Sequence, residues 1–103
     1  MYDDLFCKRL IELRLQKGVS ARDMSLSIGQ NAGYINSLEN KKCLPSLTVL
    51  FYICEYLGVT PKEFFDEGNV NPTRLNEIIA DLRLVKEPYL TSISTVIKGL
   101  VSK

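Results

Sequence analysis

Residues that start and stop helices recur along this chain at short intervals, and between them the apolar side chains fall three and four positions apart. That punctuation is the strongest constraint on the fold, because it allows only short helices packed on one another. Apolar and polar residues never alternate for more than a few positions, so strands find no support. A first helix is predicted from about Asp4 to Lys17, with Asp3 or Asp4 as its N-cap, Phe6, Leu10 and Leu13 on one stripe, and Gly18 as its stop. Ser20 caps a second helix ending at Ile28, before Gly29, and Asn31 caps a third that runs through about Asn40. Pro45 and Ser46 open a fourth, whose stripe Leu47, Leu50, Ile53, Cys54 and Leu57 reads as a core face ended by Gly58. Thr60, followed by proline at the first helical position, begins a short fifth helix that carries Phe64 and Phe65 inward.

Gly68 and Asn69 mark a predicted boundary between residues 1–68 and 69–103. Beyond it, Asn71-Pro72 starts a sixth helix with Leu75, Ile78, Ile79 and Leu82 at one-face spacing. Pro88 then restarts the pattern as a seventh, carrying Leu90, Ile93, Val96, Ile97, Leu100 and Val101. The fold expected is all-α: five compact helices plus a C-terminal helical hairpin.

Composition narrows the function. A chain of 103 residues buries roughly two-thirds of the surface its unfolded form exposes, enough for one core without disulfides or metal. Cys7, Cys43 and Cys54 are odd in number, lack a C-x-x-C spacing and have no histidine beside them, so free thiols in a reducing cytoplasm are expected and no metal site. The acidic start, Met1-Tyr2-Asp3-Asp4, does not lead into a signal peptide, and no apolar run approaches the ~20 residues of a membrane span. Without histidine, a phosphate-cradling glycine loop, or a cysteine or serine beside a base, neither enzymatic activity nor a cofactor is expected. Net charge is only +1, with residues 1–69 carrying eight Lys/Arg against nine Asp/Glu. Any contact with nucleic acid must therefore come from a few well-placed cations and helix termini rather than from bulk charge.

One segment, Val19 to Asn40, carries more than a generic helical signal. Two helices of similar length are joined by the three-residue turn Gly29-Gln30-Asn31, with Met24 and Ile28 apolar on the first and Ile35 and Leu38 on the second. Such spacing lets the pair pack at a steep angle and leaves the outer face of the second helix free. A helix held this way fits a major groove about 12 Å wide, its N-terminal residues facing base edges.

From Leu10 to Phe65 the sequence resembles the Cro/cI-type, or XRE, helix-turn-helix proteins. The likeness rests on an ordered set: Arg14, Gly18-Val19-Ser20, Gly29, Tyr34-Ile35, Leu38-Glu39-Asn40, Pro45-Ser46, Leu57-Gly58-Val59-Thr60-Pro61 and Phe64-Phe65. It implies a five-helix lambda-repressor-like domain that binds double-stranded DNA and regulates transcription. It also implies that Arg14 and Glu39 form a partly buried salt bridge between the first helix and the recognition helix. The residues agree, since an arginine among Leu10, Leu13 and Leu15 needs a carboxylate if it is covered.

The resemblance also assigns roles. Ser20, Ala21 and Arg22 open the second helix against a DNA phosphate. Asn31, Ala32, Gly33, Asn36 and Ser37 line the reading half of the recognition helix, with Asn36 suited to the N6/N7 edge of adenine and Ala32 to a thymine methyl. Asn40, Lys41, Lys42 and the Tyr34 hydroxyl reach flanking phosphates. Several positions depart from the family pattern: Ala21 stands where glutamine is common, Ala32 and Ser37 where long polar or basic residues are, Gln30 where an apolar one is usual, and Ser25 where alanine is. The reading face is short, so specificity rests on few contacts plus DNA shape, or DNA binding has been weakened.

The hairpin's stripes are too rich to stay wet. They bury against the first five helices or against a second copy, with Leu90, Ile93, Val96, Ile97 and Leu100 as the dimerisation face. Dimerisation is the favoured reading, because two recognition helices about one DNA turn apart read a palindromic operator far better than one. Three functions stay open: a homodimeric repressor, an antitoxin or restriction-system controller whose hairpin binds a partner protein, and an interaction module that has lost DNA binding.

Overall fold

A computed structural model describes residues 1–102, and among them it is all-helical, with seven helices. They are α1 (Tyr2–Lys17), α2 (Ala21–Ser27), α3 (Tyr34–Glu39), α4 (Leu47–Leu57), α5 (Pro61–Phe65), α6 (Pro72–Leu82) and α7 (Glu87–Val101). The chain divides into two units, Met1–Thr73 and a second beginning at Arg74. The break falls five residues beyond the Gly68-Asn69 boundary, because the chain after α5 stays tied to the first unit. Pro72 is buried, and the Thr73 hydroxyl donates to the Leu57 carbonyl at 2.7 Å.

Local chemistry explains the helix ends. Ser20, Ser46 and Thr60 sit in extended backbone before α2, α4 and α5, and each side chain accepts the N–H three residues on (3.0, 3.2 and 3.1 Å). Gly29 turns the chain out of α2 with φ +80°, a left-handed conformation that costs other residues strain. Gly18 and Gly58 close α1 and α4 in the same conformation. Two boundaries differ from expectation. α1 begins at Tyr2, so Asp3 and Asp4 lie in its first turn, where carboxylates favour the helix dipole, rather than at its cap. α3 begins only at Tyr34, because the Asn31 side chain accepts the Gly33 N–H at 3.1 Å and holds residues 31–33 in a turn.

In the first unit, α1 contributes Phe6, Leu10 and Leu13 to a core shared with Met24, Ile28, Ile35, Leu38, Ile53, Leu57, Val59 and Phe64. The rings of Phe6 and Phe64 stack with centroids 5.5 Å apart. Two residues assigned inward lie outside it. Leu47 is exposed at the first position of α4, and Phe65 is exposed, meeting Phe64 edge to face. α5 is a single short turn of helix and can turn only one of two adjacent rings to the core.

The core also holds a charge. Arg9 is 1% exposed, and its guanidinium donates to the backbone carbonyls of Phe64, Glu63 (2.8 Å) and Asn69 (3.3 Å) and pairs with Glu12 at 3.4 Å. These carbonyls lie at the end of α5 and just beyond it, where a helix leaves acceptors unused and its dipole attracts a cation. Arg9 therefore pins the segment after α5 to α1. Among described residues, no buried side-chain nitrogen or oxygen lacks a partner.

In the second unit, α6 presents Leu75, Ile78 and Ile79 exposed, and no residue of α7 is buried. Leu90 and Ile93 are half-buried, whereas Val96, Ile97, Leu100 and Val101 stand in the open. No described helix is long and apolar enough to cross a membrane. Cys7 and Cys54 are buried and Cys43 exposed, all three as free thiols, and no described cluster of side chains could hold a metal ion.

Candidate nucleic-acid interface

α2, the turn after it, and α3 form one packed hairpin within the first unit. Met24 and Ile28 from α2 meet Ile35 and Leu38 from α3 in the core, so the opposite face of α3 points outward. Arg14 anchors the far end. Its Nε and Nη2 donate to the two oxygens of Glu39 at 2.6 and 3.0 Å, and its Nη1 donates to the Val19 carbonyl at 3.0 Å. With both side chains mostly covered, this two-pronged pair fixes the last turn of α3 to the end of α1 and the start of α2. The hydrogen bonds to Glu39 raise the arginine's already high pKa, so its guanidinium stays a cation. At the near end, the buried Ser25 hydroxyl accepts the Ile35 N–H at 2.9 Å.

The residues assigned to DNA lie along this construction. Asn31, Gly33, Asn36, Asn40, Lys41 and Lys42 are exposed, while Ala32, Tyr34 and Ser37 are half-covered. Asn31, Ala32 and Gly33 belong to the turn leading into α3 rather than to the helix itself. Asn36 and Asn40 are coupled one helical turn apart, the Asn40 amide donating to the Asn36 carbonyl (2.8 Å) and to Asn36 Oδ1 (3.1 Å). That contact orients the Asn36 amide while leaving its Nδ2 and one lone pair of Oδ1 for another partner. Tyr34 packs its ring against the core, and burial pushes its phenol up, helped by the nearby Cys43 thiol.

At the start of α2, Ser20 is occupied as the cap, Ala21 packs on the core and Arg22 is exposed. Lys41 takes a left-handed backbone (φ 60°) just after α3, and its ammonium pairs with Asp4 in the first turn of α1. Each raises the other's charged population: Asp4 holds the Lys41 pKa up, and Lys41 holds that of Asp4 down. Arg22, in the first turn of α2, and Lys42, in the loop after α3, are exposed and make no ion pair among the described residues.

Three residues of this arrangement carry roles that the sequence reading did not assign. Arg9 was legible in principle, since it falls three after Phe6 and four before Leu13, inside the apolar stripe. Ser25 stood out only as an exception to a usual alanine. Nothing local pointed to Asp4 as the partner of Lys41, thirty-seven residues away.

This geometry is that of a helix-turn-helix, with a recognition helix braced at both ends and open on its outer side. Residues 10–64, more than half of the chain, match the helix-turn-helix family of XRE type, and the protein belongs to that family of DNA-binding transcription regulators. No curated protein and no solved structure gives a significant match.

Proposed function

We propose that this protein is a sequence-specific transcriptional repressor that binds a palindromic operator as a homodimer in the cytoplasm. The observation carrying this reading is the braced and outward-facing α3. The Arg14–Glu39 pair and the Ser25–Ile35 bond hold it rigidly, and Asn36, Ser37 and Asn40 lie along the side away from the core. Asn36 reads adenine through its amide, and Ala32, in the turn ahead of α3, lies against a thymine methyl. Arg22, Lys41 and Lys42, with the first amides of α2, hold phosphates on either side. Because the first unit carries little net charge, this affinity rests on those few cations and on the fit of α3 to the groove. The unburied apolar face of α7 supports the dimer, since it gives a second copy a surface to cover.

That same face supports a second reading, in which the hairpin binds a different protein, as in an antitoxin or a restriction-system controller. One experiment separates the two. Oligonucleotides bound by the pure protein are selected from a random pool, and the molar mass of the protein is measured by light scattering. A palindromic motif with half-sites about one helical turn apart, and the mass of two chains, is the result expected. Selection of a motif by a single-chain species would favour the partner-protein reading. No enriched motif would overturn the regulator altogether.

A further inference from the structure

We propose that Ser25 is the positioning residue that sets how α3 meets the bases, and hence how far the protein prefers its operator over bulk DNA. The inference rests on the regulatory reading above. Ser25 lies in the middle of α2 and is wholly buried. Its hydroxyl donates to the Ala21 carbonyl one turn back at 2.7 Å and accepts the Ile35 N–H at 2.9 Å. Ile35 is the second residue of α3, and its N–H is among those that a helix start leaves without an acceptor in the helix. Ordinarily the N-cap side chain supplies that acceptor. Here the N-cap is Gly33, which has none, and the nearby Asn31 oxygen is taken by the Gly33 N–H. Ser25 thus caps the recognition helix from another helix, across the turn.

Both ends of this bridge are backbone, so it fixes the spacing between the second turn of α2 and the first turn of α3. Ser25 and Ile35 are both wholly buried, and the hydroxyl is held at once by donor and acceptor, which restricts its rotamer. Alanine at this position can do neither: it leaves the Ile35 N–H buried without an acceptor, and the first turn of α3 must then shift or fray to reach water. Base edges tolerate such a shift poorly, because a bidentate contact is lost within about 0.5 Å or 10–20°. Phosphates contacted by Lys42 or Arg22 tolerate it well, since long flexible side chains follow them.

Hence Ser25→Ala should weaken binding to the selected operator about tenfold while leaving affinity for random duplex, and its salt slope, as in the parent protein. Ile53→Val, at an equally buried site on α4, controls for lost stability and should leave the operator-to-random ratio unchanged. In the same samples, hydrogen exchange should show the Ile35 amide of the parent as protected as the Leu38 amide, and selectively faster in Ser25→Ala. A parent protein with no preference for any sequence would overturn the regulatory reading, and this inference with it. A parent with clear preference, and a Ser25→Ala variant with the same ratio, would overturn this inference alone. So would an Ile35 amide in the parent that exchanges as fast as the exposed turn.

Discussion

Asn36 and Arg9 show two different demands made on single side chains. Asn36 is exposed and already oriented by Asn40, so its amide is presented rather than loose. Replacing it with alanine should cost roughly 1–3 kcal/mol on the selected operator and relax preference at one base position. Competition binding against a panel of single-base operator variants reads this directly, and equal weakening on random DNA would contradict base reading. Arg9 faces no DNA at all. It is a buried cation satisfied mainly by main-chain carbonyls, so Arg9→Met would leave those acceptors in a dry site without their donor. The expected loss is on the order of 3 kcal/mol of stability. It should appear as a lower urea midpoint with unchanged slope, a result distinct from any change in DNA preference.

Between elements, the question is how α3 and the loop after it share their work. Lys41 and Lys42 stand directly after the recognition helix, and the left-handed backbone at Lys41 sends the chain away from it sharply. In the free protein Lys41 spends its charge on Asp4. Such an exposed pair is weak and screened by salt, so a phosphate competes for it readily. Replacing both lysines with alanine should therefore weaken all DNA sequences alike and flatten the dependence of log affinity on log salt by about two. Titrations of random duplex at several salt concentrations measure the slope, and an unchanged slope would place neither lysine on phosphate. That outcome would mark the division of labour proposed above, with α3 supplying preference and its flanks attachment.

For the whole molecule, the decisive surface is the apolar side of α7. Val96 and Leu100, one helical turn apart, are both exposed, and in water such a face is costly unless something covers it. Changing both to glutamine removes that apolar area without adding charge. For the homodimer proposed above, light scattering should then give the mass of one chain, and affinity for a palindromic operator should fall roughly a hundredfold or more as the second half-site becomes an independent binding event. Thermal unfolding of the first unit should be unaffected, since neither residue belongs to its core. A variant with the mass of two chains would overturn α7 as the proposed dimer interface.

Helix number and kind, most of the caps and the buried stripe of α1 were legible from the chain, because each depends on residues a few positions apart. Ser20 caps α2, Gly29 turns out of it, and Phe6, Leu10 and Leu13 share a face for reasons contained within single turns. The late start of α3, the inward turn of Phe64 rather than Phe65, and the exposure of Leu47 depend on which neighbours compete for the same space, and spacing does not reveal that. Of the two braces of the recognition helix, the family resemblance implied Arg14–Glu39, but the Ser25–Ile35 bond and the other long-range contacts lie further still from local pattern. Ser25 and Ile35 are ten residues apart, Lys41 and Asp4 thirty-seven, and Arg9 and Asn69 sixty. A hydrogen bond acts over about 3 Å, and only the packed chain brings such groups that close.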